Sequence, residues 1–207
     1  PRAGAHLETI LPATVTLIHI RPDAEEAIGR AAARCYDSDR SAEACLRRAD
    51  HCTNVNNHLA VLRFAWAHFT IEGISRVTSH QLVRVAHAGI LQESQRYVKQ
   101  TAIEFVDPPA VQAMPAHIRA AWYSVQAEAE RTYLAAVDAG MKKEDARFIL
   151  PQGCTTSLEI AGNFQMFKDL LTNRTSKHAQ WEVRDVAVQM QNLLHEHAPR
   201  IFKEVKL

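Results

Sequence analysis

Long apolar runs are missing from this chain of 207 residues. No stretch approaches the roughly 18 consecutive apolar side chains that a membrane-spanning helix needs, so none is expected. The N-terminus lacks the basic, apolar and small-residue series of a signal peptide, and the expected location is therefore the cytoplasm. An excess of one charge sign is lacking too. With 24 Lys and Arg against 23 Asp and Glu the net charge is +1, which leaves no global field to gather nucleic acid or an anionic membrane. Four cysteines are present, Cys35, Cys45, Cys52 and Cys154, but no CxxC pair, and no histidine pair supplies complementary spacing, so no metal site is expected and the thiols should be reduced. His195 and His197 are two apart and would leave a helix on different faces. There is no GxGxxG and no GxxxxGK loop, which removes the local signature of a Rossmann or P-loop site.

What is there reads as one α+β domain over residues 1–207. Hydrophobic residues make up 47% and charged residues 23%, the balance of a globular protein with a sizeable core. Residues 1–13 read as an irregular start. Val15 to Ile20 is a β-branched run and an expected strand. Pro22-Asp23 opens a helix that runs to Tyr36, with Asp23 as N-cap and Glu25 and Glu26 in the first turn. Ser41 to Cys52 reads as a second helix, and Asn54, Asn56 and Asn57 mark a turn. The second part of His58 to Gly73 reads as a strand. Asp107-Pro108-Pro109 is a loop signal. Pro115 to Ala139 carries the clearest helical pattern, with Ile118, Trp122, Val125, Ala129, Tyr133 and Val137 on one stripe expected to face the core and Gly140 as the stop. A short helix over 144–149 precedes Pro151. Thr155 to Ile160 reads as a strand and Phe164 to Leu171 as a helix. Ser176 to His197 reads as a long amphipathic helix with Ala179, Val183, Val186, Met190 and Leu193 inward.

The stretch around which the rest is organised is Arg76 to Tyr97, RVTSHQLVRVAHAGILQESQRY. Its first half has helical spacing and Gly89 breaks it. The second half then crowds QESQRY into six residues. This is either a solvated loop or a site, since a helix end and the following turn can offer side chains and backbone N–H groups to an anion.

Those residues also carry a resemblance. His80-Gln81-Leu82-Val83-Arg84 and the run Gln92 to Tyr97, with Ser94 at the expected distance, resemble the signature of the flavin-dependent thymidylate synthases, the ThyX family. AARCY (32–36) is similar to an early family segment. FTIEGISR (69–76) resembles the family's FAIEGVSR, and ARFILP (146–151) its ARxxLP. Asn163 with Gln165 resembles its NxR. Arg174 followed by HAQWEVR (178–184) resembles its C-terminal motif. The motifs cover about residues 58–97 and 146–187. The chain also departs from the pattern. Arg84-Val85-Ala86 stands for Arg-His-Arg. Ala60, Arg63 and Phe64 stand where the family has a hydroxyl, a carboxylate and an imidazole. Gln165 stands for Arg and Asp169 for Asn.

The resemblance implies an antiparallel sheet packed with long helices and a homotetramer whose subunits share active sites. It implies FAD as cofactor, methylenetetrahydrofolate as one-carbon donor, NADPH as reductant, and C5-methylation of dUMP. The departures suggest a specialised copy acting on UMP as well, as in nucleoside-antibiotic pathways. By resemblance, Gln81, Arg84, Ser94, Arg96 and Arg147 line the nucleotide pocket, Gln92, Glu93 and Gln95 lie in the same run, and Arg174 stabilises the uracil anion. The flavin-side candidates are His58, Arg84, Val85, Ala86, Gln92, Asn163, Gln165, Asp169 and His178. The residue chemistry agrees with a nucleoside monophosphate. Arginine forks suit phosphate, and Gln81, Gln92 or Gln95 can pair with a uracil edge. Each arginine could instead sit in a surface ion pair, Ser94 is a phosphate donor rather than a nucleophile, and His178 could be structural. The alternative function is a non-catalytic nucleotide-binding protein with a degenerate flavin site.

Overall fold

The computed structural model describes residues 13–205, so all but the last residue of the expected irregular start lies outside the described residues. The elements run β1 (Thr14–Ile20), α1 (Ala24–Arg34), α2 (Ala42–Asp50), a π-helical turn (His51–Val55), a 3-10 turn (Leu59–Phe64), β2 (Trp66–Ser75), α3 (Arg76–Leu82), β3 (Gly89–Gln92), α4 (Ala116–Asp138), α5 (Lys143–Ala146), β4 (Thr155–Asn163), α6 (Phe164–Arg174) and α7 (Trp181–His197). The fold is α+β. Its four-stranded antiparallel sheet has the order β1-β2-β4-β3. β1 and β2 pair from Thr14 against Glu72 to Ile20 against Ala67, with a register irregularity between Leu17 and His19. Thr156, Leu158 and Ile160 alternate inward along β4, the two-residue period of a sheet with one packed face. Among the described residues no helix is long and apolar enough to cross a membrane.

The described residues gather into two compact units. The larger comprises Ala13–Glu72, His80–Leu91 and the chain from Leu158 onward. Its core contains Phe69, Ile71, Phe164, Phe167, Leu171, Val183, Val186 and Met190. Phe69 meets Phe167 edge-on with centroids 5.3 Å apart, and Phe164 meets Phe202 at 5.0 Å, a geometry favoured by the ring quadrupoles. α1 and α2 pack backbone to backbone at Gly29, where an added Cβ would lie 1.8 Å from the Cys45 carbonyl oxygen. The buried Glu25 accepts from the Arg200 backbone N–H and from Arg200 Nη1, both at 2.7 Å.

The smaller unit comprises Gly73–Ser79 and Gln92–Ser157. Ile103, Tyr133, Ala146 and Cys154 form its centre, with Phe105, Leu134, Val137 and Leu150 packed around them. α4 matches the expected helix almost to its ends, and Gly140 follows it with φ +94°. Its expected core stripe does not hold along the whole helix. Ala129 and Tyr133 are buried, whereas Ile118, Trp122 and Val125 are 45%, 42% and 64% exposed. Periodicity reports that a face is apolar, not what covers it.

Other expectations shift for local reasons. Asp23 precedes α1, but its carboxylate pairs with Arg21 Nε at 2.6 Å and makes no cap hydrogen bond. α1 ends at Arg34, two residues before Tyr36. Asn54 lies in the π-helical turn, donating to Asp50 and to the Arg200 carbonyl, and Asn57 takes φ +53°. α7 starts at Trp181 rather than Ser176, because the Gln180 side chain accepts the Val183 N–H at 3.1 Å and sets the start. Its buried residue in the last turn is Leu194 rather than Leu193. β3, four residues long, follows the break at Gly89 and was not foreseen.

Candidate functional site

A pocket of about 470 Å³ opens in the larger unit, lined by Gln81, Arg84, Val85, Ala86, Asp169, Leu170, Asn173 and Arg174. Its volume lies within the usual range for small-ligand sites, roughly 300–1,000 Å³. One wall is the end of α3 and the segment after it. The other is one face of α6, where Asp169, Leu170, Asn173 and Arg174 fall at helical spacing. α6 is well built for this. Asn163 caps it, its Oδ1 accepting the Met166 N–H at 3.0 Å, and Arg174 sits in the last turn, where the helix dipole favours a cation.

A hydrogen bond joins the two walls: Arg174 Nη2 donates to the Gln81 carbonyl oxygen at 3.1 Å. This orients the guanidinium and leaves its remaining donors for a ligand. Arg84 is exposed, and its guanidinium makes no hydrogen bond or ion pair among the described residues. Val85 and Ala86 contribute small apolar surfaces. Asn173 Nδ2 donates to the Asp169 carbonyl at 2.9 Å. Two arginines on a concave polar surface make a place for an anionic, hydrogen-bonding ligand.

The smaller unit holds the second group. The Ser94 Oγ accepts the Arg96 N–H at 3.3 Å, and the Ser94 carbonyl accepts from Tyr97 and Val98. This makes QESQRY a hydrogen-bonded turn. Arg96 Nε lies 2.6 Å from Glu144 Oε2, and Arg147 Nε donates to the Glu144 carbonyl at 3.2 Å. Glu93 Oε1 accepts from Gln100 at 2.8 Å.

The expected residues thus divide. Gln81, Arg84, Val85, Ala86, Asp169 and Arg174 share the pocket, whereas Arg96 and Arg147 meet at Glu144 and Ser94 lies in the turn that carries Arg96. Gln92 and Gln95 face protein partners. Gln92 Nε2 donates to Ser79 Oγ and Thr156 Oγ1 at 2.9 and 3.2 Å, and the buried Gln95 donates to Cys154 Sγ at 3.4 Å. Burial pushes the Cys154 thiol above its ordinary value, and the Gln95 hydrogen bond acts the other way. Asn163 is the α6 cap, and Gln165 Oε1 accepts from Arg63 Nε at 2.7 Å. His58 is exposed ahead of the 3-10 turn, and His178 is exposed ahead of α7. None of Gln92, Asn163, Gln165, His58 and His178 lines the pocket. Three residues were missed: Leu170, Asn173 and Glu144. The first two were within reach of helical periodicity, since they share a face with Asp169 and Arg174.

The family model described as thymidylate synthase complementing protein matches residues 16–200. A flavin-dependent thymidylate synthase of Geobacter sulfurreducens is 37% identical over 201 residues, which cover 92% of this chain and 85% of that protein. One from Pyrococcus furiosus is 34% identical over 199 residues, covering 90% and 79%. A third, from Thermococcus onnurineus, is 40% identical over 137 residues, covering 64% and 56%. The match runs from β1 past the end of α7 and takes in both groups of arginines, so the chain belongs to the thymidylate synthase complementing protein family, the flavin-dependent thymidylate synthases.

Proposed function

We propose that this protein is an FAD-dependent enzyme that methylates C5 of a uridine 5′-monophosphate, dUMP or UMP, with methylenetetrahydrofolate as carbon donor and NADPH as reductant. The relatives' names support a flavin and a thymidylate product. The observation that carries the reading is the pocket in which Arg174 is steered by the Gln81 carbonyl beside Arg84, whose guanidinium has no partner among the described residues.

In this reading Arg174 donates to the uracil carbonyl and nitrogen edge and stabilises the negative charge that makes C5 nucleophilic, a charge that grows on the way to the transition state. Gln81 holds the base edge. Ser94, Arg96 and Arg147 are assigned to the phosphate, which suits guanidinium forks. The pocket fits the polar part of a flavin nucleotide. Arg84 offers a cation to an anionic group, and Val85 and Ala86 leave room that larger side chains would fill. Asp169 would also face the cofactor. Bound reduced FAD would supply the electrons that bring the transferred carbon to the methyl level. Family resemblance and the exposed apolar row on α4 support assembly as a homotetramer with shared sites.

Arg174→Ala should leave the circular dichroism spectrum unchanged and lower methylation of the preferred nucleotide by about 10²–10³-fold, the usual loss for one oriented donor at a developing charge. Unimpaired turnover would refute its role. Side-by-side assays of dUMP and UMP with FAD and the folate decide the substrate. Purified protein that is colourless and takes up no added FAD would remove the flavoenzyme reading.

A second reading, nucleotide binding without a working flavin site, is favoured by one observation. Arg63 and Gln165, both departures on the flavin side, are engaged with each other. Calorimetry separates the two: heat on adding dUMP but none on adding FAD supports this second reading.

A further inference from the structure

Glu144 lies just outside the motifs that point to a nucleotide, yet both arginines assigned to the phosphate meet on it. Its Oε2 is 2.6 Å from Arg96 Nε, and its carbonyl accepts from Arg147 Nε at 3.2 Å. The Arg96 guanidinium also lies over the Tyr97 ring, 5.3 Å from the centroid, and Lys143 Nζ donates to the Tyr97 carbonyl at 2.5 Å. The turn that carries Arg96 is therefore pinned to the segment that carries Arg147, with one guanidinium aimed at a carboxylate. Side-chain exposure is 56% for Arg96 and 33% for Glu144, so a solute anion can reach the pair.

A carboxylate and a phosphate monoester make the same demand on a guanidinium: acceptor oxygens in the plane of its donors. The phosphate offers three such oxygens and more charge. We infer that Glu144 is an internal stand-in for the ligand's phosphate, holding Arg96 in its binding orientation and yielding it when a nucleoside monophosphate arrives. The inference rests on the nucleotide reading above and deepens it, because it assigns the residue that tunes affinity through the phosphate rather than the base. An exposed ion pair is weak enough to be displaced. Once displaced, the carboxylate stays beside the phosphate and repels it. It reclaims Arg96 when product leaves, so Glu144 speeds release as it lowers affinity.

The test is titration of the full chain and of Glu144→Gln with dUMP, deoxyuridine and inorganic phosphate at low ionic strength. Glu144→Gln should bind dUMP and inorganic phosphate about two- to fivefold more tightly, the range that corresponds to an exposed ion pair. Deoxyuridine, which has no phosphate, should be unaffected, and Arg96→Gln added to Glu144→Gln should erase the gain. Equal or weaker binding of both phosphate-bearing ligands by Glu144→Gln overturns the inference. If no variant binds dUMP but Glu144→Gln still gains on inorganic phosphate, the nucleotide reading fails and the Glu144 assignment is supported.

Discussion

Four thiols that look alike in the sequence differ in what surrounds them. Cys35 is exposed, whereas Cys45, Cys52 and Cys154 are buried and all four are free. Burial pushes the Cys52 and Cys154 thiols up, which keeps them protonated and unreactive. A thiol reagent should titrate about one equivalent in the native protein, at Cys35, and all four once denaturant is added. Rapid labelling of more than one thiol without denaturant would contradict this burial. Tyr133 is fully buried, and its hydroxyl accepts the Gln100 N–H at 3.3 Å. Tyr133→Ala should therefore cost about 3–5 kcal/mol in a urea titration, as aromatic truncations in cores do. Arg84 and Arg174 were legible as candidates through the family motifs that carry them, since a lone arginine serves a surface ion pair equally well. Gln92 and Gln95 were not, because an amide serves a ligand and a buried neighbour equally well.

Among the elements, α4 and α6 were readable because a helical period repeats over several turns. β3 was not, because four residues give no period and its place depends on pairing partners distant in sequence. The α1–α2 crossing was equally hidden, since nothing local marks Gly29 as a point of backbone contact. Gly29→Ala should cost at least about 1–3 kcal/mol and lower the melting temperature, because the Cys45 backbone cannot move aside as a flexible side chain would. Wild-type melting of this variant would mean that the two helices separate freely. Lys168 on α6 gives a pH dependence. Burial, and then Lys203, hold its amine below the ordinary lysine value. The unfolded chain therefore binds this proton more tightly, and the penalty is constant below the folded value and fades as pH rises toward the ordinary one. Urea titrations across alkaline pH should show the parent gaining stability relative to Lys168→Met. A pH-independent difference would show that the folded chain does not hold this amine low.

At the scale of the whole molecule, the exposed end of the α4 stripe is where sequence reasoning and structure part most clearly. The apolar pattern of Ile118, Trp122 and Val125 was plain, but a single chain leaves it uncovered. If the proposed homotetramer covers it, Val125→Glu should lower the sedimenting mass while leaving the secondary structure intact, because the side chain is exposed in the chain alone. Unchanged mass would place the subunit contacts elsewhere. The Arg63–Gln165 contact carries a different consequence, one of order among substitutions. The two side chains touch, so changes at the two positions should not add independently. Walking back toward the family's residues one step at a time, Gln165→Arg taken first sets two cations face to face. Arg63→Glu taken first sets a carboxylate opposite an amide that can donate to it. Gln165→Arg alone should therefore melt at a lower temperature than Arg63→Glu alone.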